Sequence, residues 1–227
     1  MASVRLFLIA LVLGACYEAS AQGYKAHWIF GHGYHMEFVG GVPTMRPRIE
    51  GFNAQEGPST LSDSEGNLLF YTNAELVWNA AHEPLLNSEA LTTFVSPDFG
   101  STITNGSLFI PWPGDSIERF YALFIIDNSG LKLRVSQIDR SLDGGFGGVV
   151  PDMKNFFESP VGLGEQIAAV RHGNGRDWWI VGRRKLGFNT QGFLAFLLTP
   201  NGIDTIIESP HLEVSSPLGE LVFSRDG

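Results

Sequence analysis

A short pattern of strand, tight turn and aromatic-rich strand recurs along this chain, and it constrains the fold more than any other feature. The pattern is clearest in residues 60–71 and 169–181, with a middle copy in residues 109–124. Corresponding positions lie roughly 50 residues apart, close to the ~40–50 residues of known propeller repeats. A repeat of this length that is built only from strands predicts an all-β fold of the β-propeller type, with one blade for each copy.

The repeats give the expected positions of the blades. Three blades are predicted at residues 56–83, 107–139 and 165–199, and the next one starts at residues 218–227. This last copy stops at its turn, before its partner strand. Since propellers close with about four to eight blades, the pattern predicts an incomplete, truncated propeller. The alternative is an open stack of three sheets, which would leave strand edges unpaired.

Other stretches complete the predicted secondary structure. Residues 27–30 and 36–39 predict a hairpin, which is a candidate to complete the last blade of the ring. Residues 85–92 carry a weak helical signal, and residues 183–185 predict a solvent-exposed turn. The Asp, Asn and Gly residues between the strands supply the positive φ angles that tight hairpins require.

Residues 1–21 have the organisation of a secretory signal peptide. Arg5 provides a positive charge, residues 6–13 form an apolar run, and residues 19–21 form a small-residue cleavage site. The run is far shorter than the ~20 apolar residues that span a bilayer. The sequence therefore predicts export from a bacterial cytoplasm, to the medium or the outer cell surface, with residues 22–227 as one mature domain.

Cys16 leaves a second interpretation of this leader open. Leu13-Gly14-Ala15-Cys16 resembles a lipoprotein box, in which the cysteine is lipidated and becomes the first residue, so that the protein is membrane-anchored. Cys16 is also the only cysteine of the chain. After either cleavage no disulfide can form, and cysteine-based metal sites and thiol catalysis are excluded.

The composition limits the classes of partner. The net charge of −9 argues against nucleic acid, whose phosphates require a basic surface, and against anionic membrane surfaces. A hydrophobic content of 44% and an aromatic content of 12% support a well-filled core. No apolar stretch after the signal peptide has transmembrane length, and no cofactor is predicted.

Several of these segments together resemble a known family. The resemblance rests on residues 62–73, 77–79, 110–114, 141–147, 169–179 and 223–227. These segments are similar to the N-terminal propeller of large secreted proteins from gliding bacteria, which carry a gliding-motility-associated C-terminal sorting module and leave the cell by the type IX route. The resemblance covers nearly the whole mature chain and implies a propeller at the cell surface without a catalytic signature. Because the sorting module is missing here, type IX secretion is implied only for a longer protein.

Two groups of polar residues have the composition of metal sites but not the spacing. His27, His32 and His35 match no metal motif, because His32 and His35 would face opposite sides of an extended chain, and turn or surface roles are favoured. The loop from Asp63 to Asn67 is far shorter than the 12-residue ligand series of a calcium loop. Asp63 is instead expected to hold a turn by accepting hydrogen bonds from backbone amides.

Three glutamates are low-ranking candidates for catalysis. Glu56, Glu165 and Glu220 share a similar place ahead of the predicted inner strands, where side chains can line a central channel. Two carboxylates there could do acid/base work, as in glycosidases. A residue that is repeated at equal places in successive blades more often forms hydrogen bonds between blades, so no catalytic residue is assigned.

Trp112 is the candidate binding residue. It is flanked by Pro111 and Pro113, and an exposed tryptophan on a loop can stack on a sugar or anchor a partner. The alternative is a structural cap over the hydrophobic edge of a blade. Together, these features predict an exported, non-enzymatic β-propeller module that binds an unidentified protein or glycan. A glycan-processing hydrolase and a structural stalk segment are the alternatives.

Overall fold

The computed structural model describes residues 23–93, 95–96, 100–186, 189–214 and 219–224. The predicted signal peptide with Cys16 lies outside the described residues, as do Leu218 and residues 225–227 of the fourth repeat. Within the described ranges, no helix has the length and apolar character needed to cross a membrane.

The chain folds as an all-β protein with four antiparallel sheets, and each sheet comes from one contiguous stretch of sequence. The first sheet contains β1 (His27–Phe30), β2 (Tyr34–Val39) and β3 (Val42–Arg46). The second sheet contains β4 (Ser59–Ser62), β5 (Leu68–Thr72) and β6 (Val77–Asn79). The third sheet contains β7 (Ser107–Pro111), β8 (Phe120–Asp127), β9 (Lys132–Asp139), β10 (Gly148–Val149) and β11 (Phe157–Glu158). The fourth sheet contains β12 (Leu163–Arg171), β13 (Trp178–Leu186), β14 (Asn189–Thr199) and β15 (Gly202–Val214).

Neighbouring residues of the central strands point into different parts of the core. In β5, Tyr71 belongs to the cluster between the first and second sheets, whereas Phe70 belongs to the cluster between the second and third. In β8, Leu123 faces the second sheet and Phe124 faces the fourth. This follows from the two-residue period of a strand. The second and third sheets therefore bury both of their faces, and the four sheets pack in sequence order.

The first strands of the four sheets lie side by side. β1 contacts β4, β4 contacts β7, and β7 contacts β12. Hydrogen bonds join these strands to the residues just before the first strand of the preceding sheet: Ser107 Oγ of β7 donates to the Gly57 carbonyl at 2.7 Å, and the Ile167 N–H of β12 donates to the Asn105 carbonyl at 3.3 Å. Among the described residues, this row of sheets is not closed into a ring.

The strands expected within residues 56–83, 107–139 and 165–199 are confirmed, and three other expectations are wrong. Residues 85–92 form no helix, because Leu86 bridges Gly148 of β10 in an extended conformation. Residues 183–185 belong to β13 and not to a turn. Residues 219–224, part of the fourth repeat, contain no strand.

Four strands were not predicted, namely β3, the two-residue strands β10 and β11, and β15. β3 extends the N-terminal hairpin into a three-stranded sheet. All five residues of β3 are exposed, so the segment shows no hydrophobic alternation, and Pro43 is tolerated because β3 is an edge strand. At the other end, β15 follows a turn at residues 200–201 and extends the fourth sheet.

Candidate functional site

A charged cleft of about 720 Å³ lies between the first sheet and the turns of the second sheet. Its polar lining includes three histidines and four charged side chains, namely His27, His35, His82, Glu37, Glu50, Arg46 and Arg48. A cleft of this size that gathers titratable groups at the junction of two packed units is the expected form of a small-ligand site.

His27 and His35 are the buried centre of this cleft. The register pairs His27 with Glu37 and Ile29 with His35, so both histidines point from the first sheet toward the second. His27 Nδ1 lies 2.8 Å from His35 Nε2, and the two residues are 8% and 7% exposed. One ring must donate and the other must accept, so at least one of them is neutral.

His82 joins the cleft from the turn that follows β6, where its φ is 65°. Its Nδ1 lies 3.1 Å from the Tyr71 hydroxyl, and its ring centre lies 6.2 Å from that of His35. The sequence grouped His32 with His27 and His35 instead. His32 is exposed, and its Nδ1 lies 2.8 Å from Asn53 Oδ1. No local pattern links His82 to the other two, because tertiary packing of two sheets brings them together.

Burial controls the electrostatics of the cleft. It lowers the pKa of His27, although the Glu37 carboxylate, 4.0 Å from His27 Nε2, acts in the opposite direction. Burial, followed by the charges of His27 and His82, lowers the pKa of His35 to about 4. Arg46 forms an ion pair with Glu37. At neutral pH the cleft therefore presents uncharged imidazoles beside paired charges. Among the described residues, no group of three or more His, Cys, Asp or Glu side chains has the arrangement of a metal site.

Two of the three candidate glutamates meet at one hydroxyl group. Thr104 Oγ1 donates to Glu56 Oε2 at 2.7 Å, and it lies 3.5 Å from Glu165 Oε2. Glu56 precedes β4, Thr104 precedes β7 and Glu165 lies in β12, so the contact joins three successive sheets. Glu220 is exposed in a stretch without a strand, and no described contact joins it to the other two. Because the Thr104 hydroxyl separates the two carboxylates, the arrangement is a link between sheets.

Trp112 lies in the core between the third and fourth sheets. It is 8% exposed, and its Nε1–H donates to the Pro200 carbonyl at 3.2 Å. Its ring packs edge to face on Phe156, with the centres 6.0 Å apart. Only part of Trp112 reaches a smaller cleft of about 240 Å³ beside Trp178. Trp112 therefore has the packing expected of a structural cap over the edge of a blade, which is the alternative to stacking on a ligand.

Glu75 marks a second polar cleft, of about 660 Å³, that the sequence did not indicate. The side chain is 1% exposed, and burial raises its pKa. Its carboxylate accepts hydrogen bonds from the Ser96 N–H at 2.7 Å and from Asn128 Nδ2 at 2.8 Å. In the sequence, Glu75 looks like an ordinary polar residue of a hairpin turn, so no local signal distinguishes it.

Asp63 has the turn role that its sequence predicts. Its Oδ1 accepts the backbone N–H groups of Glu65 at 3.0 Å and Asn67 at 2.8 Å. The carboxylate also forms an ion pair with Arg140 at 3.1 Å and is almost fully buried. The loop is therefore a hydrogen-bonded turn, tied to the third sheet by one charge pair.

Comparisons of this chain with protein-family models, with curated proteins and with solved structures found no match. The resemblance to the secreted proteins of gliding bacteria therefore stays a prediction, based on the sequence segments given above.

Proposed function

We propose that this chain is an exported, non-enzymatic β-propeller module that binds a protein or glycan partner at the cell surface. The four sheets are its blades, and their first strands line its central axis. Three observations support this arrangement: the sheets follow sequence order, each comes from one contiguous stretch, and β1, β4, β7 and β12 lie side by side.

The charged cleft between the first two sheets carries the binding proposal. Its volume of about 720 Å³ is within the ~300–1,000 Å³ range of sites for small ligands. Arg46 and Arg48 can donate hydrogen bonds, Glu37 and Glu50 can accept them, and the neutral imidazoles can do either. Such a lining suits the hydroxyl and carboxyl groups of a saccharide or the polar side chains of a peptide.

A hydrolase of propeller fold is the alternative, and the contact of Glu56 and Glu165 with Thr104 is the observation that favours it. A glycosidase needs two carboxyl groups that flank the substrate across a pocket. Here a threonine hydroxyl lies between them, and Glu56 is exposed to solvent. The binding function agrees better with this geometry.

Purified residues 22–227 would be applied to a glycan array and tested for hydrolysis of the glycans that bind. We expect binding without turnover. His82→Ala should weaken binding, because His82 is exposed at the cleft, and Glu165→Gln is the matched control that should leave binding unchanged. If the wild type hydrolyses a glycan and either Glu56→Gln or Glu165→Gln abolishes this activity, the protein is a hydrolase instead. If His82→Ala binds the glycan as tightly as the wild type, the binding site does not lie in the cleft.

Export and anchoring require a separate test. We propose secretion after cleavage before Gln22, with the type IX route following from the resemblance. N-terminal sequencing of the exported protein, together with metabolic labelling with a fatty acid, distinguishes a Gln22 terminus from a lipidated Cys16. Retention of the chain in the cytoplasm would contradict both.

A further inference from the structure

Glu75 differs from the other buried carboxylates of this protein in its partners. Five acidic residues are buried in the part of the chain that the structure describes, namely Asp63, Glu75, Asp127, Asp139 and Asp177. Each of the four aspartates forms an ion pair with an arginine, at distances of 2.6 to 3.1 Å. The described partners of the Glu75 carboxylate are uncharged, the Ser96 N–H and the Asn128 amide. A buried carboxylate is costly to ionise unless a cation balances it.

Glu75 lies at the bottom of the second polar cleft, of about 660 Å³. The cleft lies between the β5–β6 turn, the β8–β9 turn and the segment that connects the second and third sheets. Besides Glu75, its described lining includes six residues with hydroxyl or amide side chains, namely Gln55, Thr93, Ser96, Thr102, Asn128 and Ser129. Four of these six are exposed, whereas Glu75 is 1% exposed. The cleft is therefore open at a neutral polar rim and carries its negative charge at depth.

The β5–β6 turn holds Glu75 in place through its neighbour Asn73. Asn73 Oδ1 accepts the N–H groups of Glu75 at 3.1 Å and Leu76 at 2.8 Å, and Asn73 Nδ2 donates to the Asn53 carbonyl at 3.0 Å. The connecting segment passes close to this turn, since a Cβ on Gly100 would lie 2.9 Å from Asn73 Nδ2. The backbone of Glu75 is therefore fixed before any ligand enters, which lowers the ordering cost of binding.

We propose that this cleft binds a small hydroxylated ammonium ion, the chemical class of an amino sugar whose amine is not acetylated, with the ammonium group beside the Glu75 carboxylate. The ligand supplies the positive charge that Glu75 lacks, and a hydrogen bond between two ionised groups is stronger than one between neutral groups. Hydroxyl and amide side chains both donate and accept hydrogen bonds, as the hydroxyl groups of a sugar do. The volume also lies within the ~300–1,000 Å³ range of small-ligand sites.

This site is separate from the charged cleft of the proposed function. The two clefts share no described lining residue. The first is lined by imidazoles and paired charges, whereas the second offers one carboxylate among neutral groups. The inference therefore does not rest on the proposed function.

A calcium ion is the competing cation. Calcium takes about six to eight oxygen ligands, among which several carboxylates are typical. The described lining of the cleft offers only the carboxylate of Glu75. Asp127, which follows in the third sheet, is already paired with Arg134 at 3.0 Å and accepts a hydrogen bond from Thr93 Oγ1 at 2.8 Å. A singly charged organic cation therefore suits the cleft better than a divalent metal.

An NMR titration of isotope-labelled residues 22–227 with glucosamine tests this proposal. The Ser96 amide and the Asn128 side-chain amide both donate to Glu75, so they are the local reporters, and their signals should shift to saturation. Glucose has a hydroxyl group in place of the amine, and we expect it to bind at least about 10-fold more weakly. Glu75→Gln should weaken glucosamine binding by at least about 10-fold for the same reason.

Two further variants separate loss of binding from loss of folding. Glu83→Gln is the matched control, because Glu83 is exposed beyond the other end of β6, and it should leave glucosamine binding unchanged. Gln55→Arg changes an exposed residue of the rim and leaves the buried residues as they are. An arginine there competes with the ammonium group for Glu75, so we expect glucosamine affinity to fall at least about 10-fold.

Three results would overturn the proposal. The first is glucosamine that leaves both reporters unshifted. The second is equal affinity for glucose and glucosamine, or unchanged glucosamine affinity in Glu75→Gln or Gln55→Arg. The third is calcium chloride that shifts the same reporters at lower concentrations than glucosamine, which would assign a metal site. Array binding that depends on His82 and persists in Glu75→Gln would leave the proposed function intact, so the two failures are distinguishable.

Discussion

His27 and His35 are hydrogen-bonded to each other through ring nitrogens 2.8 Å apart, in a buried position between the first and second sheets. The bond exists only while at least one ring is neutral, and the second proton must enter a site from which water is largely excluded. The junction of the two sheets therefore depends on pH.

We expect the free energy of unfolding to fall as the pH is lowered from about 6.5 to about 4. In this window His35 is protonated in the unfolded chain, with a pKa near 6.5, but neutral in the folded protein, where its pKa is about 4. The unfolded state thus binds more protons, so stability rises with pH through the window and is complete above it. The loss is on the order of 2 kcal/mol.

Urea unfolding of wild-type protein and His35→Gln at pH 7.5 and pH 4.5 measures this effect. The wild type should lose more stability on acidification than the variant. Glu75, whose pKa burial raises, is more favourable when protonated and changes stability in the opposite direction. It is present in both proteins, so the difference between them isolates His35. Equal losses would contradict the prediction.

Most of the longer strands with a buried face were predictable from sequence. In β14, residues 193–198 form a continuous apolar run, which predicted the strand. In the structure, Leu194, Phe196 and Leu198 are buried and alternate with partly buried neighbours. β3 lacks this signal because all of its residues are exposed. A strand with a buried face thus contains an apolar run that a single sequence reveals, whereas an exposed edge strand such as β3 contains none.

The cleft was less predictable, because its members come from separate sheets. His27, His35 and Glu37 come from the N-terminal hairpin, in which Glu37 lies opposite His27. His82 joins them only through the packing of the second sheet on the first. The contact of Glu56 with Thr104 has the same origin. Equal places in successive repeats suggested a link between blades, yet only the structure identifies Thr104 as the group between the two glutamates.

Gly57 should be far less tolerant of substitution than Gly144. Both have positive φ, 67° and 64°. A Cβ on Gly57 would lie 2.4 Å from the Ile103 carbonyl oxygen, whereas a Cβ on Gly144 would meet nothing within 4 Å. Gly144→Ala should therefore cost about 1 kcal/mol for its backbone conformation alone, and Gly57→Ala about 3 kcal/mol or more. Thermal or urea unfolding of the two variants checks this, and equal losses would show that the second and third sheets separate easily at Gly57.

Asp63 should contribute through both its turn and its ion pair with Arg140. Asp63→Ala removes the acceptor of two backbone N–H groups and leaves Arg140 without its carboxylate, so we expect a loss of about 2 kcal/mol. Asp63→Asn can keep the backbone hydrogen bonds and should cost less. A double-mutant cycle with Arg140→Ala measures the ion pair separately. If Asp63→Ala costs the same with and without Arg140, the turn alone accounts for the effect.

Trp112 should act on stability and not on ligand binding. Trp112→Ala empties a buried position between the third and fourth sheets, which costs about 3 to 5 kcal/mol. Trp112→Phe keeps an aromatic ring against Phe156 but loses the hydrogen bond to the Pro200 carbonyl, so its cost should be smaller. Unfolding experiments measure the stabilities, and binding to the array is compared under conditions in which both proteins are folded. A folded Trp112→Phe protein that has lost ligand binding would instead assign Trp112 to the ligand site and place that site between the third and fourth sheets.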